Sequence, residues 1–138
     1  MSATEEIIET LGFFDSWEDR YKYMIDLGKS LPDMPEQLKT PERLVPGCQS
    51  QVWIEASYEN GSFEFLVDSD ALIVRGLLAI VMAAYNHQSA KNILEFDIQQ
   101  YFDQLDLIKH LSPTRGNGLK AMVEKIRQLA AIKLAPSS

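Results

Sequence analysis

Between Ala71 and Tyr85 the chain carries a single charged side chain, Arg75. A helix over this run, placed at Asp70–Tyr85, is apolar on nearly every face and has to be packed on several sides, at the centre of a domain. A bilayer span takes about 20 apolar residues, so the run is too short and too charged to cross a membrane. Such a helix needs other elements wrapped around it.

The flanking sequence supplies them. Thr4 to Phe14 places Ile7, Ile8, Leu11 and Phe14 at helical spacing. Ser16 caps a second helix with acids in its first turn, along which Trp17, Tyr21, Met24, Ile25 and Leu31 form an apolar stripe. Gly28, Pro32 and Pro35 are read as ending it. Pro32 to Pro46 reads as a loop with one helical turn near Pro35–Leu38. Gln51–Tyr58 has strand composition, Asn60-Gly61 marks a hairpin turn, and Ser62–Val67 alternates as the returning strand. That strand exits to the apolar helix at Asp68-Ser69-Asp70. Ser89–Phe96 and Asp97–Leu105 read as short helices. Ser112 and Pro113 open a last one, with Leu119, Met122, Val123, Ile126, Leu129 and Ala130 on its buried face. Strands and helices are segregated, so the fold class is α+β, with a small antiparallel sheet packed against several helices. The 138 residues fit one domain spanning 1–138, with a core of about residues 4–134 and a frayed tail after Leu134.

Charge narrows the function. With 13 Lys and Arg against 20 Asp and Glu the net charge is −7, which repels nucleic-acid phosphates and anionic membrane surfaces alike. The acidic start lacks the basic n-region of a secretory signal, and a lone cysteine cannot form an internal disulfide, so a cytoplasmic location is expected.

That cysteine, Cys48, follows Pro46-Gly47, a pair suited to a type II turn, which would display the thiol at a loop tip. A free cysteine is also commonly a small buried hydrophobe, and the local sequence leaves both readings open. The flanking Gly47, Gln49 and Ser50 are uncharged, so a reactive thiol would need a cation brought near by the fold or a partner. His87 and His110 lie far apart, form no metal-ligand spacing with Cys48 and no Cys-His motif, and are read as surface residues. Arg115, in the first turn of the last helix, opposes the helix dipole beside Gly116 and Gly118, which leave room for another backbone; a solvated side chain is the alternative. Arg75 calls for a carboxylate if buried, with Asp68 or Asp70 nearest. Trp53 and Tyr58 are strand residues of a core or an interface.

Gly47-Cys-Gln-Ser-Gln-Val-Trp53 resembles the active-site segment of the SufE family, sulfur-accepting partners of cysteine desulfurases. Further segments agree in the same order: Trp17-Glu-Asp-Arg-Tyr21, Leu27-Gly-Lys-Ser-Leu-Pro32, Asp68-Ser-Asp-Ala71 with Ile73-Val-Arg-Gly-Leu77, and Leu111-Ser-Pro-Thr-Arg-Gly-Asn-Gly-Leu119. The resemblance runs from about Trp17 to Leu129, and the residues after the cysteine are similar to the branch serving iron–sulfur cluster assembly.

The resemblance implies a fold shared with scaffolds of the IscU and NifU type, and no cofactor of the chain's own. It implies a role for Cys48 as persulfide acceptor from a desulfurase of the SufS type, which uses pyridoxal phosphate. Delivery would be to a scaffold of the SufB type. Arg115 would lie by the cysteine pocket and favour the thiolate, while Gln49, Ser50, Gln51 and Asp70 are candidates for contacting the desulfurase. A homodimer is expected. The chain would be no independent enzyme. Two alternatives stay open: a binding-only allosteric activator in which Cys48 is incidental, and the paralogous CsdE-type sulfur acceptor. A thiol enzyme acting on a metabolite lacks a nearby general base.

Overall fold

The computed structural model describes residues 2–134. The tail after Leu134, expected to fray, lies outside the described residues. Helix α1 covers Ala3–Phe13, α2 Trp17–Lys29, α3 Leu72–Tyr85, α4 Ala90–Glu95, α5 Ile98–Gln104 and α6 Pro113–Leu134; strands β1 (Val52–Glu59) and β2 (Ser62–Ser69) form one antiparallel pair. The fold is α+β, as read from the sequence. Among the described residues no helix is long and apolar enough to cross a membrane.

The sequence chemistry accounts for the boundaries. Ser16 accepts the Asp19 N–H and starts α2, Ser89 does the same for α4, and Ser112 accepts the Arg115 N–H at the start of α6. At the hairpin, Asn60 and Gly61 both take positive φ, 53° and 82°, the requirement of a type I′ turn. Register follows, pairing Tyr58 with Phe63 and Trp53 with Asp68. Phe63, Phe65 and Val67 point to the core and Glu64 to solvent. The second strand runs two residues further than its alternating pattern suggests, because Asp68 and Ser69 still pair with Trp53 and Val52. Helix α3 accordingly starts at Leu72 rather than Asp70.

As the apolar run requires, α3 is the hub. Leu78, Ile80, Val81 and Tyr85 are fully buried, and α1, α2, β2 and α6 all pack on this helix. One continuous apolar cluster extends from Ile7 to Ala130. Arg75 selects Asp68, not Asp70: its Nε lies 3.5 Å from the buried Asp68 carboxylate, whose other oxygen meets Lys39 Nζ at 3.2 Å. Two cations and the Ser69 N–H thus hold one buried carboxylate. Lys39 also lies over the Trp53 ring, tying the loop after α2 to the sheet. Within that loop the expected turn appears as a short 3₁₀ segment at Glu36–Leu38. A second, at Pro41–Arg43, places Arg43 against Glu55 of β1.

Gly28 does not stop α2 by itself; it sits inside the helix, buried against Gly76 of α3. A Cβ on Gly28 would lie 2.6 Å from the Gly76 nitrogen, and one on Gly76 would lie 2.4 Å from the Met24 carbonyl oxygen. The two backbones touch, and only glycine permits it.

Two effects compete in Gly76→Ala. Helix propensity favours alanine by about 1 kcal/mol, while overpacking costs about 1–3 kcal/mol or more. The obstructing atoms are backbone and cannot rotate away, so overpacking wins. The thermal midpoint, followed by circular dichroism, is expected to fall by roughly 5–10 °C; an unchanged or higher midpoint would remove the close-contact account.

Candidate functional site: the cysteine loop

Residues 46–50 form a loop tied at its base. Val45 donates its N–H to the Val52 carbonyl at 2.8 Å, and Leu44 bridges to Trp53. A second tie sits beside the first: the Gln51 N–H donates to the Asp70 carboxylate at 3.1 Å, and the Asp70 N–H returns to the Gln51 carbonyl at 3.3 Å. Asp70, read from the sequence as the start of the apolar helix, instead anchors the end of the cysteine loop. Between the ties, among the described residues, no backbone–backbone hydrogen bond involves residues 46–50.

The bend is the one Pro46-Gly47 suggests. Gly47 has φ +89°, and a Cβ there would meet the Ala121 side chain of α6 at 3.4 Å. A side chain there would be strained by the backbone angle alone. The bend turns Cys48 inward, where it is half-buried and donates its S–H to the Gly118 carbonyl at 3.5 Å. A Cβ on Gly118 would lie 3.7 Å from the sulfur, an ordinary van der Waals contact, so the sulfur packs directly against this turn of α6. Gly116 has no neighbour of that kind and makes no comparable approach.

The sulfur faces a cavity of about 200 Å³. Val52, Val74, Leu77 and Met122 supply apolar lining, and Ser50, Ser112, Thr114 and Arg115 supply polar groups. Burial pushes the Cys48 thiol above its ordinary value. The carbonyl partner also favours the protonated form, since a carbonyl accepts from S–H but repels a thiolate. In this seated position burial and the carbonyl partner both disfavour the thiolate.

Arg115 is half-buried and lines the same cavity. Among the described residues no carboxylate lies within ion-pair distance of it, so its charge is uncommitted. The structure thus brings Cys48, Gln49, Ser50 and Arg115 around one cavity, with Gln51 and Asp70 at the loop base. Gln49, Gln51 and Asp70 are exposed. Sequence reasoning did not identify the Gly118 carbonyl, or Thr114 and Met122 as lining. Positions 114, 115, 118 and 122 recur at helical spacing, which is the signal that joins them. Ser112 was legible only as a cap.

The histidines stay apart from the thiol. His87 is exposed, but His110 is half-buried rather than a free surface residue, because its ring stacks on Trp17 with centroids 3.8 Å apart. Among the described residues no group of three or more His, Cys, Asp or Glu side chains is placed to hold a metal ion. Trp53 is buried and Tyr58 half-buried, both in the strand pair.

Residues 5–130 match the family model described as SufE, Fe-S metabolism associated domain. An uncharacterized SufE-like protein of Rhizobium etli is 45% identical over 98% of this chain and 94% of its own length. One of Rhizobium meliloti is 44% identical over 97% of this chain and 99% of its own. The solution structure of a hypothetical protein from Thermus thermophilus shares the fold, with a TM-score of 0.77 at 17% identity, covering 97% of this chain and 98% of that one. The extent of the family match, with two relatives above two-fifths identity across nearly their whole length, places this chain in the SufE family.

Proposed function

We propose that the chain acts as one unit to take sulfur from a cysteine desulfurase onto Cys48 and to pass it to an iron–sulfur scaffold. A single observation carries the reading: the one cysteine sits on a loop tied firmly at its base and weakly at its tip, beside a cavity holding an uncommitted arginine. Membership of the SufE family supports the general sulfur-acceptor role.

In the proposed step the loop swings out, and the Cys48 thiolate attacks the outer sulfur of the desulfurase's cysteine persulfide. A new S–S bond forms on Cys48, the donor's S–S bond breaks, and the donor cysteine leaves as its thiolate. The outer sulfur and its proton move together, so nothing is oxidised or reduced overall. Arg115, lining the cavity that the thiol leaves, favours negative charge on the sulfur as it ionises, and Gln49, Ser50, Gln51 and Asp70 form the surface that meets the desulfurase. A desulfurase of the SufS type and a scaffold of the SufB type are the partners this reading names. The raised thiol pKa gives the binding-only activator one point in its favour, since a seated Cys48 is a poor nucleophile.

Cys48→Ser separates the two readings. The variant is expected to fold, to gain no mass of one sulfur atom when incubated with desulfurase and cysteine, and to lose desulfurase stimulation. Stimulation retained at the original level would establish the binding-only reading.

Cys48 also dictates a pH response. Its folded pKa is raised, so seating contributes stability below the ordinary thiol pKa of about 8.5, and that contribution fades as pH rises through the higher folded value. Alkylation of Cys48 by iodoacetamide should therefore rise with pH along a curve displaced above that of a free cysteine. Asp70→Ala, which removes one tie of the loop, should move the curve back toward the free thiol and speed the reaction near neutral pH. A profile identical to free cysteine in the unsubstituted protein would show that the thiol is not seated in solution.

For Arg115→Gln, the rate of sulfur arrival on Cys48 is expected to fall by roughly tenfold, about 1.4 kcal/mol for one charge-assisted contact. Single-turnover transfer of labelled sulfur checks this, and an unchanged rate would relegate Arg115 to the surface.

A further inference from the structure

We propose that Trp17 and Tyr21, in the first turns of α2, are positioning residues for the Cys48 cavity. The proposal deepens the sulfur-acceptor reading and rests on it for its functional consequence, though the geometry stands alone.

One turn apart on α2, the two side chains face the same way. Both close on His110. The Trp17 ring stacks on the imidazole, 3.8 Å between centroids and 16° from parallel. The Tyr21 hydroxyl donates to the His110 carbonyl oxygen, and the two aromatic rings themselves lie 5.6 Å apart. From within its own turn, His110 Nδ1 lies 2.9 Å from the Asp106 carbonyl oxygen. The residue is held by ring, by carbonyl and by its own local hydrogen bond.

What this grip controls is the start of α6. His110 ends a short 3₁₀ segment, Ile108–His110, and Ser112, two residues on, caps α6 by accepting the Arg115 N–H at 3.2 Å. The first turns of that helix present Thr114, Arg115 and Gly118 to the cavity, Arg115 being the one charged side chain among its lining residues. Elsewhere α6 is tied by Arg127, whose guanidinium donates to the Ile93 and Leu94 carbonyls. Arg127 lies twelve residues beyond Arg115, roughly 18 Å along the helix axis. Among the described residues, the only hydrogen bond that α6 shares with another element between Ser112 and Arg127 is the one from Cys48 to Gly118. At 3.5 Å that bond tolerates little further separation. From Leu119 onward α6 is held by buried apolar side chains, so loosening the grip on His110 acts on the first turns alone, where a small shift draws the Gly118 carbonyl away from the sulfur and widens the cavity.

Alkylation of Cys48 by iodoacetamide in the full chain, across pH, tests this without any desulfurase. Tyr21→Phe, which removes one hydrogen bond, and Trp17→Ala are each expected to raise the rate at neutral pH by about fivefold, as the thiol is unseated and becomes more accessible. Trp17→Phe, which keeps a stacking ring, should restore most of the seating. Phe63→Leu, at the opposite end of the hairpin from the cysteine loop, is the control for general loss of stability and should leave the rate unchanged. With desulfurase present, the protein concentration for half-maximal stimulation should hold steady in Tyr21→Phe while the transfer rate falls, because the freed helix start no longer holds Arg115 beside the sulfur. Should Trp17→Ala fail to fold, Tyr21→Phe carries the test. Unchanged alkylation in Tyr21→Phe, or an equal rise in Phe63→Leu, would overturn the proposal. Absence of sulfur transfer to the unsubstituted protein would instead remove the acceptor reading and leave the positioning geometry intact.

Discussion

The backbone of α2 rests directly on the backbone of α3, and much else is arranged around that contact. Gly28 and Gly76 allow it, since a β-carbon on either would overlap main-chain atoms of the other helix. Two packed helices ordinarily stand about 8–10 Å apart, a gap set by their side chains. Here small residues bring the pair closer, so Met24 is completely buried and Arg75 reaches from the first turns of α3 to the Leu31 carbonyl as well as to Asp68. The ion pair and the helix contact share a neighbourhood and support one another. Asp68 needs both its cations, because a buried carboxylate left with one partner would retain a large share of its desolvation cost.

The same framework explains how a thiol can be sheltered and still be kept available. Stable elements end on either side of the cysteine loop: β1 begins one residue after Gln51, and the end of β2 delivers Asp70 to hold Gln51 in place. The ties flank the loop, and among the described residues its own hydrogen bonding is the sulfur–carbonyl contact alone. Shelter comes from α3 and α6, which line the cavity. Among the described residues no backbone–backbone hydrogen bond holds the bend itself.

Local chemistry makes some of this readable in the amino acids. The apolar run before Tyr85 demands a central helix and becomes one; Asn60-Gly61 demands a tight hairpin; Pro46-Gly47 foretells the positive φ that turns Cys48. In each case the information lies within a few consecutive residues. Gly28 reads as a helix terminator because its reason for being glycine, Gly76, is distant in the chain. Lys39 gives no hint of Asp68, and Asp70 looks like the first turn of a helix because its tie to Gln51 depends on strand register. His110 looks solvated until Trp17 closes on it. The cysteine itself stands between a buried hydrophobe and a nucleophile on local grounds, and the family resemblance tips the reading. Its half-buried seat against Gly118 shows why both descriptions have merit.

The weak attachment of the loop tip sets an energy scale for its motion. Lifting the thiol out sacrifices one soft hydrogen bond and a partial burial, on the order of 1–2 kcal/mol, far below the roughly 5–15 kcal/mol that holds a domain of ordinary stability together. On that scale opening would be a local fluctuation, with roughly 3–15 per cent of molecules in an extended form at any instant. On the proposed sulfur-acceptor reading, a visiting protein would have no need to pry the cysteine loose: capturing that minority would draw the rest after it, with the sheet and helices left as they were.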